Sequence, residues 1–262
     1  MSDELNHASI IDGSRLARVP VSVYPHNDHE AAAAAVASHA RDGRRGVIVT
    51  DSVFSMDGDV APLVSLAEVA ASTGALLVVD DAHAVFAGAG ADVLAADTSV
   101  GAAADVLVVG TLSKTLGSLG GFVAGPAPLV EWCRNTSRSF IFSTAPTPAA
   151  AAAALAALGV LRSEDGAALI SSLRANVDRF DATHPSAVVP LVLGEERRAL
   201  DVSAALLDAG LLVPAIRPPT VAPGASRLRI ALSAEHTAAD VGLLLDALAS
   251  LGVELEPAAV TA

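Results

Sequence analysis

Residues 76–83 read LLVVDDAH and residues 106–117 read VLVVGTLSKTLG, and these two stretches decide the fold. Each begins with four consecutive apolar residues, which is the pattern of a strand buried on both faces. Strands of this kind belong to parallel sheets that are covered by helices. Short apolar runs separated by helical stretches recur through the first two thirds of the chain. The pattern therefore predicts an α/β fold with a three-layer, mostly parallel sheet.

The alternation of strands and helices changes near residue 160. Before it we expect strands at 19–24, 47–50, 75–79, 106–109 and 122–124, and helices at 28–41 and 62–72. After it we expect helices at 167–180, 198–209 and 237–251, and strands at 188–193, 211–216 and 227–232. The sequence thus predicts a large domain over residues 1–159 and a smaller α+β domain over residues 160–262.

Composition and charge argue against several classes of function. The chain has 262 residues and a net charge of −13, which is unfavourable for binding nucleic acid or an anionic membrane. Its single cysteine cannot form an intrachain disulfide, and we expect a cytoplasmic protein. The N-terminus has no signal-peptide pattern, and no apolar stretch is long enough to span a bilayer. The histidines lack the spacing of a metal site. We expect small-molecule substrates.

Polar side chains follow directly on both decisive strands. Asp80 and His83 follow the first, and Lys114 lies with Thr111 and Ser113 in a glycine-bounded loop after the second. Taken singly, a lysine is usually a surface residue, and an acid pair often caps a helix. In combination, an amine can form a Schiff base with pyridoxal 5'-phosphate, and a carboxylate can keep its ring nitrogen protonated. Hydroxyls can bind the phosphate. The residues therefore predict a pyridoxal phosphate site.

Several other residues have both a structural and a functional interpretation. Ser55 either belongs to a simple turn or faces the cofactor. His7 is either part of an unstructured terminus or stacks on the pyridine ring. Arg217 is either a surface residue or binds a substrate carboxylate through two hydrogen bonds. Arg227 and Arg229 alternate along a strand and either support that site or are solvated.

Five stretches, in order, resemble the α-oxoamine synthases, pyridoxal phosphate enzymes of fold type I that join an amino acid to an acyl thioester with loss of CO₂. The stretches are residues 3–9 (DELNHAS), 50–59 (TDSVFSMDGD), 79–83 (VDDAH), 111–121 (TLSKTLGSLGG) and 216–228 (IRPPTVAPGASRL). The resemblance covers essentially the whole chain. The last stretch is similar to the branch of the family that joins alanine to a pimeloyl thioester in biotin biosynthesis.

The resemblance implies a role for each matching residue. Lys114 would bind the cofactor covalently and move the α-proton, Asp80 would pair with the ring nitrogen, and His7 would stack on the ring and touch the substrate. The other implied contacts are His83, Ser55, Thr111 and Ser113 to the cofactor, Arg217 and Thr220 to the substrate, and Thr144 to the phosphate held by a partner subunit. The chain would then be a homodimer with shared active sites, and its large domain would bind the cofactor.

Two features depart from the family pattern. Relatives have a substantial portion before the His7 motif that carries a phosphate-binding turn, so its absence should weaken cofactor binding. Ala84 stands where the family usually has glycine. Two alternatives therefore remain: a glycine C-acetyltransferase-like synthase, or a shortened, inactive relative that acts as a fold remnant or dimer partner.

Overall fold

The computed structural model describes residues 1–41, 43–96 and 104–253, which form two compact units. The first unit comprises Met1–Phe54 and Val60–Val160. The second comprises the short loop Ser55–Asp59 and the chain from Leu161 onward. Among the described residues, no helix is both long enough and apolar enough to cross a membrane.

The first unit is built on a six-stranded sheet with the order β2-β1-β3-β4-β5-β6. Its strands are β1 (Ser2–Asp3), β2 (Val23–Tyr24), β3 (Val47–Asp51), β4 (Leu76–Asp80), β5 (Asp105–Thr111) and β6 (Gly121–Ala124). All neighbouring pairs are parallel except β5 and β6, which are antiparallel. The mostly parallel sheet that the apolar runs predict is confirmed.

The first unit also contains helices, some of which pack on the central strands of this sheet. They are α1 (Ala8–Ala17), α2 (His29–Ala40), α3 (Leu63–Thr73), α4 (Asp92–Ala96), α5 (Ala127–Thr136), α6 (Arg138–Ile141) and α7 (Pro148–Leu161). Ile48 and Leu77 of the sheet are fully buried in one cluster with Leu66 of α3. Burial of each such side chain contributes roughly 1.5–3 kcal/mol. The core therefore holds β3 and β4 rigidly, with their carboxyl ends side by side.

The second unit is an antiparallel three-stranded sheet with helices. Its strands are β7 (Val188–Gly194), β8 (Ala215–Ile216) and β9 (Ser226–Ala231), in the order β7-β9-β8. Its helices are α8 (Glu164–Asp178), α9 (Glu196–Asp208) and α10 (Ala238–Ser250). The threonine before α10, Thr237, forms a capping box with Asp240, which satisfies two backbone donors at the start of that helix. This is the α+β arrangement that the sequence predicts for the C-terminal part.

Three segments differ from the sequence expectations. The strand expected over 19–24 is limited to Val23–Tyr24, because Pro20 has no backbone donor for a sheet ladder. The strand expected over 211–216 is limited to Ala215–Ile216, because the backbone N–H of Leu211 donates to Leu206 of α9 instead of joining the sheet. The interpretation of an unstructured terminus around His7 is wrong, since α1 begins directly after it.

Candidate active site

The carboxyl edge of the first unit consists of Asp51, Asp80 and Thr111, which are the last residues of β3, β4 and β5. Asp51 and Asp80 are register partners on adjacent parallel strands. Asp80 is partly buried, and its Oδ1 accepts a hydrogen bond of 3.1 Å from the Ala82 N–H. Ligands of parallel sheets gather at this end of the strands. The fold therefore brings two carboxylates together where a ligand is expected.

Lys114 lies in the loop between β5 and β6 and contacts His83, which lies three residues after the end of β4. Its Nζ is 2.8 Å from Nε2 of His83. Backbone bonds shape the loop: the Leu112 N–H donates to Gly120, and the Ser118 N–H donates to Leu112. Gly117 has a φ of 55°, which glycine adopts without strain. Lys114 and His83, separated by 31 positions, thus meet at the carboxyl edge.

Two hydroxyls from the same loop lie together beside Lys114 in the chain. The Oγ atoms of Thr111 and Ser113 are 2.7 Å apart, and the Ser113 N–H donates to the Thr111 hydroxyl at 3.1 Å. Ser113 is exposed and Thr111 is partly buried. Hydroxyls and a backbone N–H in one turn can bind an anion such as phosphate.

His7 is the N-cap of α1, and its position depends on the carboxyl edge. Its backbone N–H donates to Oδ2 of Asp51 at 3.0 Å. Its ring Nδ1 accepts from the Ser9 N–H at 3.3 Å, so the neutral imidazole carries its proton on Nε2. The residue before it, Asn6, accepts from the Asp51 N–H at 2.9 Å. An exposed imidazole is thereby held next to the ends of β3 and β4.

The sequence places Asp51 directly after an apolar strand, at the end where ligands gather in parallel sheets, but sequence reasoning gave it no role in the site. Asp51 is 4% exposed, and burial followed by the charge of Asp80 raises the pKa of its carboxyl group to about 7. The hydrogen bond from His7 and the charge of Lys114 oppose this change. The available signal was its position at the end of an apolar strand, next in the sheet to the strand that ends at Asp80.

Close packing explains how Ala84 fits after His83. A Cβ atom added at Gly90 would lie 2.5 Å from Cβ of Ala84 and 2.7 Å from Oδ1 of Asp81. The methyl group of Ala84 is therefore accommodated because residue 90 has no side chain. The Asp81 carboxylate also accepts from the Ala91 N–H at 3.0 Å, directly before α4 begins at Asp92, so it fixes this segment of the chain.

The second unit contains Arg217, Thr220 and Ser55. Arg217 forms an ion pair of 3.0 Å with Glu196, and both side chains are about half exposed, at 50% and 49%. The Thr220 N–H donates to the carbonyl of Arg217 at 3.0 Å. Thr144 is exposed in the segment between α6 and α7 of the first unit.

Arg227 and Arg229 hold the loop that contains Ser55. Arg227 is 8% exposed in its side chain and donates to Oδ1 of Asp57, and the Arg229 Nε donates to the carbonyl of Ser55 at 2.6 Å. The interpretation that these arginines are solvated is therefore wrong. Gly58 lies in the same loop with a φ of 69°. A side chain there would collide with the Val188 carbonyl, since an added Cβ would lie 1.9 Å away.

The residues at the carboxyl edge have the chemistry that a pyridoxal phosphate group requires. An amine, an imidazole and a carboxylate meet there, and a hydroxyl pair follows in the same loop. The donors and the negative charge match the aldehyde, phenolic oxygen, phosphate and ring nitrogen of that group. Within residues 1–41, 43–96 and 104–253, no cluster of His, Cys, Asp and Glu could hold a metal ion.

Comparisons with known proteins agree on one family. The model of the family "Aminotransferase class I and II" matches residues 1–248. The 8-amino-7-oxononanoate synthase of Paraburkholderia xenovorans is 44% identical over 268 residues, covering 97% of this chain and 66% of that protein. The enzyme of the same name from Burkholderia thailandensis is 46% identical over 260 residues, covering 94% of this chain and 65% of that protein. The chain thus spans about two thirds of the length of these relatives.

Solved structures give the same result. Sphingomonas wittichii serine palmitoyltransferase is 31% identical, with a TM-score of 0.83 over 96% of this chain and 66% of that chain. An 8-amino-7-oxononanoate synthase from Francisella tularensis shares the fold, with a TM-score of 0.76 at 24% identity over 95% of this chain and 73% of that one.

Proposed function

Because this chain belongs to the aminotransferase class I and II family, we propose that it is a pyridoxal-phosphate-dependent acyltransferase of biotin biosynthesis. It condenses L-alanine with pimeloyl-CoA, or with a pimeloyl-carrier protein, to give 8-amino-7-oxononanoate, CO₂ and a free thiol. The names of relatives at 44% and 46% identity support this substrate pair. The structural observation that carries the proposal is the contact of Lys114 with His83 beside Asp80.

Pyridoxal phosphate, when bound, supplies an aldehyde for the amino group of the substrate and a ring that accepts electrons. Lys114 Nζ would hold the cofactor covalently and would also move the α-proton of the substrate. Asp80 would keep a proton on the ring nitrogen, because a nearby negative charge favours the protonated form. His83 would contact the phenolic oxygen, and the Thr111 and Ser113 hydroxyls would bind the phosphate.

His7, Arg217 and Thr220 are proposed to bind the substrate. The ring of His7 would stack on the cofactor and would keep water from one of its faces. Arg217 binds a substrate carboxylate in place of Glu196. An exposed ion pair of this kind contributes about 0–1 kcal/mol, so exchanging one carboxylate for another costs little. Ser55 is proposed as a further contact with the cofactor.

The protein is proposed to work as a homodimer in the cytoplasm, with Thr144 reaching the phosphate at the partner subunit's site. Large apolar side chains near this residue support a covered surface: Phe140 is 64% exposed and Phe142 is 71% exposed. Trp132 of α5 is 65% exposed. Apolar groups that cluster on a surface mark interaction sites.

The first experiment tests cofactor binding at Lys114. Pyridoxal phosphate is added to the purified chain, the mixture is reduced with borohydride, and the labelled peptide is mapped by mass spectrometry. We expect the label at Lys114, and none in a Lys114→Ala variant treated in the same way. Label elsewhere, or no label, would overturn the cofactor assignment.

The second experiment tests the reaction. Release of CO₂ is measured with alanine plus pimeloyl-CoA, glycine plus acetyl-CoA, and serine plus palmitoyl-CoA. We expect release only from the first mixture. Release only from one of the other two would overturn the substrate assignment. Label at Lys114 without release from any mixture would favour a chain that binds cofactor but does not turn over.

A further inference from the structure

The carboxyl edge contains one buried carboxyl group, Asp51, for which the proposed reaction has no role. Its Oδ2 accepts from the His7 N–H at 3.0 Å, and Asp80 stands beside it in register. With only 4% of the residue exposed, water does little to stabilise a second negative charge so near the first. The geometry therefore favours a carboxyl group that holds a proton.

We propose that Asp51 is a positioning residue that fixes His7 in place and holds a proton beside Asp80, so that Asp80 alone carries negative charge at the cofactor site. The part that concerns the cofactor rests on the proposed function. The positioning of His7 and the held proton do not depend on it, because both are properties of the cofactor-free chain.

His7 is held in place by hydrogen bonds that run in both directions between Asp51 of β3 and the residues that precede α1. Asp51 accepts from the His7 N–H, while the Asp51 N–H donates to the side chain of Asn6 at 2.9 Å. The amide nitrogen of Asn6 also donates to the carbonyl of Val49 at 2.8 Å. These groups are largely shielded from water, so the loss of any one partner leaves a costly unpaired group. Asp51 thus sets where α1 begins and where the imidazole stands.

The proton on Asp51 follows from the charges that face it on each neighbouring element. Asp80 on β4 and Asp3 on β1 are negative, and Lys114 in the loop after β5 is positive. Asp3 is paired with His26 at 3.0 Å. The remaining polar contact is the His7 N–H. Burial and the two carboxylates together outweigh Lys114, so the pKa of Asp51 rises to about 7.

Unfolding of the cofactor-free chain tests the held proton. A carboxyl group whose pKa is raised from 3.8 to about 7 by folding makes the fold less stable as the pH rises from about 4 to about 7, and its contribution is constant above that range. We expect the urea midpoint of the wild-type chain to contain such a fall between about pH 4 and pH 7. Asp51→Asn keeps the size of the side chain and an oxygen acceptor for His7, and its urea midpoint should lack this component.

A matched control removes one negative charge elsewhere. Asp105→Asn alters an exposed carboxylate that pairs with Arg45 at 2.7 Å, and its pH profile should follow that of the wild type. Parallel profiles for the wild type and Asp51→Asn would overturn the held proton. An Asp51→Ala variant should lose protection of the His7 amide in hydrogen exchange by about tenfold or more, whereas Asp51→Asn should retain it. Equal protection in all three proteins would overturn the positioning role.

The effect at the cofactor is measured by absorbance of the chain loaded with pyridoxal phosphate. Below pH 7, where Asp51 holds its proton, the wild type and Asp51→Asn should give the same absorbance spectrum, because both side chains are neutral. Above pH 7 only the wild type gains a second negative charge beside Asp80, so the two spectra should diverge only there. Spectra that already differ at pH 6, or that coincide at every pH, would overturn the action of the held proton at the cofactor. Failure of the proposed cofactor binding would give a different result, because borohydride reduction would then leave no label at Lys114 in either the wild type or Asp51→Asn.

Discussion

The carboxyl edge of the first unit and the apolar segment of residues 119–142 lie close in the chain. They differ in whether their side chains have partners within this chain. At the edge, each polar group discussed has a partner within this chain, such as Lys114 with His83. In the apolar segment, Leu119, Trp132 and Phe142 are 65–71% exposed. One chain suffices to organise the chemistry of the first region. The second region is the surface that the proposed partner subunit would cover.

The largest effect on activity is expected when the reactive amine at the carboxyl edge, that of Lys114, is removed. Lys114→Ala removes both the proposed covalent attachment and the group that moves the α-proton, and it should lower CO₂ release by at least about 10²–10⁴-fold. Lys114 is exposed, so the free energy of unfolding of the cofactor-free variant should change by less than about 0.5 kcal/mol. A variant that still releases CO₂ would show that an amine other than Lys114 binds the cofactor and moves the α-proton.

The second prediction concerns stability at the same edge. A pKa for Asp51 raised from its ordinary 3.8 to about 7 corresponds to at most about 4 kcal/mol lost between low and alkaline pH. Asp51→Asn should therefore be more stable than the wild type above pH 8, and the difference should shrink as the pH falls through 7. Urea unfolding at several pH values measures this. A variant that is less stable at every pH would contradict it.

A smaller effect is expected where the edge and the apolar segment meet. A Cβ added at Gly110 would lie 2.3 Å from the ring of Phe122, so Gly110→Ala should destabilise the protein by about 1–3 kcal/mol. Phe122→Leu removes the ring atoms that collide and should restore part of this loss in the double variant. Thermal unfolding of the single and double variants tests it, and additive losses would contradict the contact.

The smallest effect on a single chain is expected in the apolar segment. Phe142→Ser and Trp132→Ser change exposed side chains, so each should alter the free energy of unfolding of the monomer by no more than about 0.5 kcal/mol. If a second copy covers this surface, both variants should shift the protein from dimer to monomer in analytical ultracentrifugation. An exposed substitution elsewhere, Leu212→Ser, serves as the control. A dimer that survives both changes would place the interface elsewhere.

The sequence predicted those parts of the molecule whose apolar residues face their own core. The runs that became β3, β4 and β5 were recognised because almost all of their apolar residues are buried or half-buried in this unit. By contrast, α1, α5 and α6 contain no fully buried side chain, so their apolar residues do not belong to the core that made the strands recognisable. Helices of this kind are harder to predict from one sequence.

The candidate site was predictable to the extent that its residues stand in short motifs. Lys114, Asp80 and His83 could be named because each follows an apolar run at a fixed, short distance. Asp51 could be placed at a strand end but could not be given a role, because its position opposite Asp80 depends on the register of two parallel strands. Likewise, Arg227 was ambiguous until its partner, Asp57, 170 positions away, was known.

The loop Ser55–Asp59 belongs to the second unit although it lies far from the rest of that unit in the sequence. The chain passes from one unit to the other after Phe54, after Asp59 and after Val160. Each unit is therefore made of two separate stretches of the chain. A break at residue 160 would leave Asp57 on one fragment and its partner, Arg227, on the other. The two fragments should therefore behave as halves of a split protein, each folding poorly when expressed alone and recovering structure when the two are co-expressed.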